Sequence, residues 1–242
     1  MPNSTGSKFS PSIHLVVQLY KARNPDLSRR MKECIEHNLR LDVVTQMTIV
    51  TQGVEVKTTH PKIQVIRTSE RSTYAQLLKI GLDGNYDSSS HVAISNTDIF
   101  LPETLQLLAR RLSSKLFVAA VTRHELDGVL PLIPKASQDL WLFCNHKPNE
   151  KFLTASDYEL GIAGCENLFA MALYSHGYDI WNPSIDLIIS HNDPNPRTSW
   201  SDWYYGAYLY LLPCSIDDVG SAKPRYEMSF ARRKFQEGRE GF

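Results

Sequence analysis

The chain has 242 residues, 42% hydrophobic and 21% charged, which is enough apolar material for a packed core in one large or two small lobes. Lys+Arg and Asp+Glu each number 26, so the formal charge is zero and no global field draws in nucleic acid or an anionic membrane. Cys34, Cys144, Cys165 and Cys214 are far apart and form no CxxC pair, which argues against a zinc knuckle or redox motif and for a reducing compartment. The opening MPNSTGSKFSPS lacks the apolar core of a signal peptide, and no run approaches the roughly 18 apolar residues of a spanning helix. The expectation is a soluble, cytoplasmic protein with a frayed tail over residues 1–12.

IHLVVQLY (13–20) reads as a buried strand, ending in Lys21-Ala22-Arg23-Asn24-Pro25. Asp26 or Ser28 can cap a helix over 27–41, where Leu27, Met31, Cys34, Ile35 and Leu39 keep helical spacing. MTIVTQ (47–52) and KIQVIR (62–67) are two further strands, so the order strand, helix, strand, strand opens an α/β layer. TSERSTYAQLL (68–78) enters a helix through Ser72 or Thr73. Arg71 beside that start could hold phosphate or the carbonyl edge of a base, or be an ordinary solvated arginine next to a cap.

After the loop 81–90 comes HVAISNTDIFL (91–101). An apolar run gives way to Ser95-Asn96-Thr97-Asp98, as in a buried strand whose carboxyl end presents an amide and a carboxylate to a crevice. Asn96 and Asp98 also suit a simple turn or cap. Pro102 is expected at the first position of a helix, and LFVAAVT (116–122) is a fifth strand ending in Arg123-His124-Glu125. A linker of about a dozen residues suggests a functional loop before SQDLWLF (137–143), in which Gln138 and Asp139 could contact a sugar hydroxyl or supply a base, or form a polar strand edge. In 158–191, Gly161 and Gly164 permit a tight approach, Glu166 and Asn167 open a helix closed by Gly177, and 185–190 reads as a last strand delivering His191. The helix start is expected to favour ionised Glu166 and so to lower its basicity. RTSWSDWYYGAYLY (197–210) reads as an amphipathic helix, and beyond Ser221 a basic helix or arm is expected.

SNTDI at a strand end, Arg71-Ser72-Thr73-Tyr74 before it, Ser137-Gln138-Asp139, Gly164-Cys165-Glu166-Asn167 and a late His191 occur in an order that resembles the nucleotide-sugar-dependent glycosyltransferases of the GT-A fold. The likeness is to small bacterial and viral members with NADI or NSDI in place of DXD, and it runs from about residue 13 to 192. It implies an α/β fold with a mostly parallel central sheet flanked by helices. Residues 13–220 would form a single catalytic domain, with a nucleotide-binding half to about 101 and an acceptor half beyond, and 221–242 a basic tail. Asp98 and His191 would share a divalent metal, Mn²⁺ or Mg²⁺, with the diphosphate of a UDP- or GDP-sugar. Gln18, Tyr20, Arg71, Asn96, Thr97, Asp98 and Arg123 would bind the donor. Gln138, Gly164, Cys165 and Trp200 would contact a glycan or glycoconjugate acceptor, and Glu166 would be the base of an inverting transfer. Asn96 replaces the first Asp of DXD, which puts strict metal dependence in question. Asn167 replaces the second acid of the family's Glu-Asp pair, which keeps Asp139 as a second candidate base, a loop residue that could swing in with the acceptor.

A dimer is compatible with the aromatic segment 200–210. A sugar-phosphate nucleotidyltransferase is the main alternative, but such enzymes carry a glycine-rich loop after the first strand and residues 21–25 hold no glycine. A non-catalytic sugar-nucleotide or glycan-binding module on the same fold also fits the loss of the two acids.

Overall fold

The computed structural model describes residues 10–82, 90–194 and 202–231. In chain order the elements are β1 (Ser12–Tyr20), α1 (Pro25–Leu39), β2 (Val44–Gln52), β3 (Ile63–Thr68), α2 (Tyr74–Leu82), β4 (Ser90–Ser95), β5 (Ile99–Phe100), α3 (Leu105–Arg111) and β6 (Phe117–Val121). They continue with β7 (Leu140–Cys144), α4 (Glu150–Ala155), α5 (Cys165–Ser175), β8 (Asp179–Trp181), β9 (Ser190–His191), β10 (Gly206–Leu211) and β11 (Tyr226–Ala231).

Seven strands form one sheet in the order β3-β2-β1-β4-β7-β6-β8, in which only β7 runs against the others. β1 shows why the sheet is sandwiched between helices. Its odd positions, Ile13, Leu15, Val17 and Leu19, join the cluster containing Leu27, Met31 and Ile35 of α1 and Leu105 and Leu108 of α3. Val16 on the opposite face packs in the cluster of Leu77 and Leu78 from α2 and Phe169 from α5. A strand buried on both faces reads as an unbroken apolar run because neither side meets water. Each such side chain, fully buried, contributes about 1.5–3 kcal/mol. Close packing also explains Gly81, where an added Cβ would lie 2.4 Å from Val92 Cγ1.

Several boundaries differ from the sequence expectation. The cap of α1 is Asn24, whose Oδ1 accepts from Leu27 N at 2.8 Å with Pro25 next in the chain, so Asp26 and Ser28 fall inside the helix. Pro102 precedes α3 by one turn, and its carbonyl accepts from Leu105 N. Residues 185–190 do not form a strand. Only Ser190–His191 pairs, with β5, while the preceding sheet strand is β8. The expected amphipathic helix over 197–210 is contradicted as well, since Gly206–Leu211 is a strand paired antiparallel with Tyr226–Ala231. Leu209 and Leu211 are buried against α5 while Tyr210 is only partly covered, and Tyr and Leu at alternate positions fit a pleated surface. The expected basic arm is therefore a strand as far as Ala231, and residues beyond it lie outside the described residues.

Candidate active site

β1 feeds neighbours on either side of itself, with β2 on one flank and β4 on the other. Open sheets bind ligands at such a switch point, outside the carboxyl ends of the strands. A cleft of about 350 Å³ occupies that position, lined by Gln18 and Tyr20 of β1, Asn96 and Asp98 after β4, Arg71 before α2, and Gly161. Lys21, Gln52 and Leu160 also line it and were not singled out in the sequence. The signal for Lys21 and Gln52 was their place at the ends of two adjacent parallel strands.

The reversed direction of β7 assembles the floor. It enters the sheet at the edge where β4 and β6 leave, so Ser95, Val121 and Leu140 fall in register. Asn96, Arg123 and Asp139 therefore meet. Asn96 Nδ2 donates to Asp139 Oδ1 at 2.6 Å, and Arg123 Nη1 donates to both oxygens of Asp139 at 3.2 and 3.3 Å. The Asp139 side chain is 2% exposed, its amide donates to Val121, and its carbonyl accepts from Asn96 N. This corrects the picture of Asp139 as a loop base able to swing in. It is locked, and its charge is met by Arg123.

Asp98 and His191, 93 positions apart, are joined by the short ladder in which Ile99 opposes His191. Asn192 N donates to Asp98 O at 2.7 Å, and His191 Nε2 lies 3.3 Å from Asp98 Oδ2. Burial alone would raise the Asp98 carboxyl, but the hydrogen bond and charge of His191 outweigh it and hold it below the usual range. Burial likewise opposes a charged His191, yet the hydrogen bond to Asp98 prevails and its pKa is raised.

Glu166 stands in the first turn of α5 behind Gly164, whose φ of 85° turns the chain into the helix. Gly164 has no space for a side chain, since a Cβ would lie 2.1 Å from the Tyr208 hydroxyl. Burial pushes the Glu166 carboxyl up to about 7, and the negative charge of Asp139 adds to this. The sequence expectation of a weakened base at a helix start is thereby reversed, because loss of hydration outweighs the helix end.

The other expected contacts are placed as follows. Thr97 is buried with its hydroxyl donating to Gln18 O at 3.1 Å, and Arg71 is exposed at the rim of the cleft. Gln138 is buried with its amide donating to Lys135 O, and Cys165 is fully enclosed in the core beside α2 and α5, so neither lines the cleft. Trp200 lies outside the described residues.

Comparison with solved structures assigns this architecture. The chain has the GT-A fold. A mannosyltransferase, PcManGT from Pyrobaculum calidifontis, solved in complex with GDP-Man and Mn²⁺, matches 80% of this chain at a TM-score of 0.53 and 14% identity, over 59% of its own length. Residues 1–349 of TarS from S. aureus match 76% of the chain at 0.51 and 11% identity, over 61% of that structure. The GT-A chain described here thus spans about three fifths of each. No protein-family model matches the sequence, and no curated protein does. No described helix is long and apolar enough to cross a membrane.

Proposed function

We propose that this protein is a glycosyltransferase that moves a sugar from a nucleoside-diphosphate donor to a hydroxyl of a glycan or other acceptor. The observation that carries the reading is the meeting of His191 with Asp98, which lines the switch-point cleft of a GT-A sheet. A carboxylate and an imidazole held together by a dedicated ladder are donors suited to Mn²⁺, or with less preference Mg²⁺. Among the described residues no group of three or more His, Cys, Asp or Glu side chains could hold an ion alone. Two protein ligands completed by phosphate oxygens and water are the arrangement used for cations that arrive with a diphosphate. When bound, such a cation neutralises charge on the departing nucleoside diphosphate.

The chain's own groups do the rest. Gln18, Tyr20 and Arg71 line the space for the nucleotide, and Asn96 ties the donor side of the cleft to Asp139. Arg123 and Asp139 neutralise one another beneath it. Glu166 takes the acceptor proton. A carboxyl that titrates near 7 is better matched to this task at neutral pH than one near 4.

The test is paired. Glu166→Gln is expected to nearly abolish transfer and spare donor affinity, whereas Asp139→Asn disturbs donor and fold together because it loosens Arg123 and Asn96. Full transfer by Glu166→Gln would remove it as base, and substantial transfer in both variants would indicate retention of configuration without such a base. Nucleotide exchange on a sugar phosphate, with no transfer to a hydroxyl, would support the nucleotidyltransferase reading instead.

A further inference from the structure

Among the buried side-chain nitrogens that lack a hydrogen-bond partner within normal distance are His191 Nδ1 and Arg123 Nε, which lie close to one another beside the site. Buried donors of this kind are rare, and each calls for a physical account. One carboxylate faces both. Glu125 Oε2 is 3.6 Å from His191 Nδ1, and Glu125 Oε1 is 3.5 Å from Arg123 Nε. Each distance is slightly too long for a hydrogen bond, and a shift of about half an ångström in one side chain closes both.

The backbone holds Glu125 there. His124 N donates to Ile189 O at 2.7 Å and His191 N donates to His124 O at 2.9 Å, which fixes the start of the β6–β7 connection against β9. Glu125 then closes a tight turn on itself. Its N–H donates to Val129 O, and its carbonyl accepts from Gly128 N, where φ is 78°. The Glu125 side chain remains 32% exposed, against 7% for His191, so it can move the small distance required.

We propose that Glu125 is a positioning residue for His191, accepting from Nδ1–H with one oxygen and from Arg123 Nε–H with the other. The first contact fixes the imidazole plane so that Nε2 faces Asp98, on the side where the proposed cation binds. An imidazole that ligates a metal through one nitrogen characteristically gives its other N–H to a carboxylate, and loss of that partner weakens metal binding about 10–100-fold. The second contact links this ring to the Arg123–Asp139 pair beneath the cleft. The proposal rests on the reading of Asp98 and His191 as a shared cation site for its metal consequence, but not for its geometry.

The experiment therefore has two arms, using the full chain and its Glu125→Ala and Glu125→Gln variants. In the first, ¹⁵N-histidine spectra of metal-free protein are recorded, with the His191 signals assigned from His191→Ala. A hydrogen-bonded Nδ1–H, shifted downfield and slow to exchange, is expected in the parent chain, lost in Glu125→Ala and largely restored in Glu125→Gln, whose amide oxygen still accepts. In the second, Mn²⁺ is titrated in the presence of UDP or GDP and followed by electron paramagnetic resonance. Binding weakened about 10–100-fold in Glu125→Ala and by less in Glu125→Gln is expected. A His191 Nδ1–H signal that is unchanged in Glu125→Ala would overturn the proposal whatever the metal does. Normal Mn²⁺ binding by Glu125→Ala, in a chain that loses it on Asp98→Ala, would overturn the link to the cation. A parent chain whose Mn²⁺ binding does not depend on Asp98 would instead strike the proposed function.

Discussion

Glu166 is subject to opposed influences, and burial wins. Its pKa near 7, against 4.5 for an ordinary glutamate, means that the folded chain disfavours the carboxylate. The folded state then binds a proton that the unfolded state has released between pH 4.5 and 7, so stability from this group is greatest below 4.5 and falls as pH rises to 7. Replacing the carboxyl with an amide removes this cost. Glu166→Gln is expected to be more stable than the parent by about 1–3 kcal/mol at pH 8 and no different at pH 4.5, measured by urea unfolding at the two pH values. The parent's transfer rate should rise with pH through about 7, as a base that must first lose its proton requires. Arg71 at the cleft rim makes a separate prediction. Arg71→Ala should weaken donor binding by about 1.5–3 kcal/mol in calorimetry if the guanidinium bonds the nucleotide. Unchanged affinity would return it to the class of solvated arginines.

Among the elements, the two-residue ladder β5–β9 matters out of proportion to its length, because it sets Asp98 against His191. It is braced from α1. Asn38 is buried, its Nδ2 donates to Ile99 O at 2.9 Å and its Oδ1 accepts from Leu101 N at 2.9 Å. Asn38→Ala strands both backbone groups away from water, at about 1–3 kcal/mol each. A loss of about 2–6 kcal/mol in unfolding free energy is expected, together with weakened Mn²⁺-dependent donor binding, although Asn38 is far in sequence from the cleft residues. Normal donor binding in that variant would mean that the ladder does not position Asp98. At the start of α5, Gly164→Ala meets both a φ of 85° and the Tyr208 hydroxyl, so the entry to the helix and the placement of Glu166 should suffer together.

Across the whole molecule, the β-α-β order and both faces of the sheet were legible because doubly buried strands are continuous apolar runs bounded by polar turns, as in Ile13–Tyr20. The proximity of Asp98 and His191 was legible only through resemblance, since no local pattern relates residues 93 positions apart. The hairpin β10–β11 was misread as a helix and a solvated arm because Tyr-rich alternation next to Gly206 supports either period until a partner strand is known. Burial also could not be read from the helix start at Glu166, and so the direction of its pKa shift was reversed. Gln138 and Cys165 show the same gap. Their motifs suggest contact with an acceptor, while packing encloses both. The role of Asp139 as a fixed partner of Arg123 follows from the reversal of β7, which the sequence does not announce.

The central claim is that the cleft binds a nucleoside-diphosphate sugar through a cation held by Asp98 and His191. Thermal unfolding of the parent chain with a panel of UDP- and GDP-sugars, with and without Mn²⁺, tests it most directly. At ligand concentrations near one hundred times Kd, binding adds about 2.7 kcal/mol, which for a chain of this length raises Tm by about 5–10 °C. The account predicts such a rise for at least one donor only when Mn²⁺ is present, and its disappearance in Asp98→Ala. No rise with any donor, or a rise that is the same without metal and in Asp98→Ala, would contradict it.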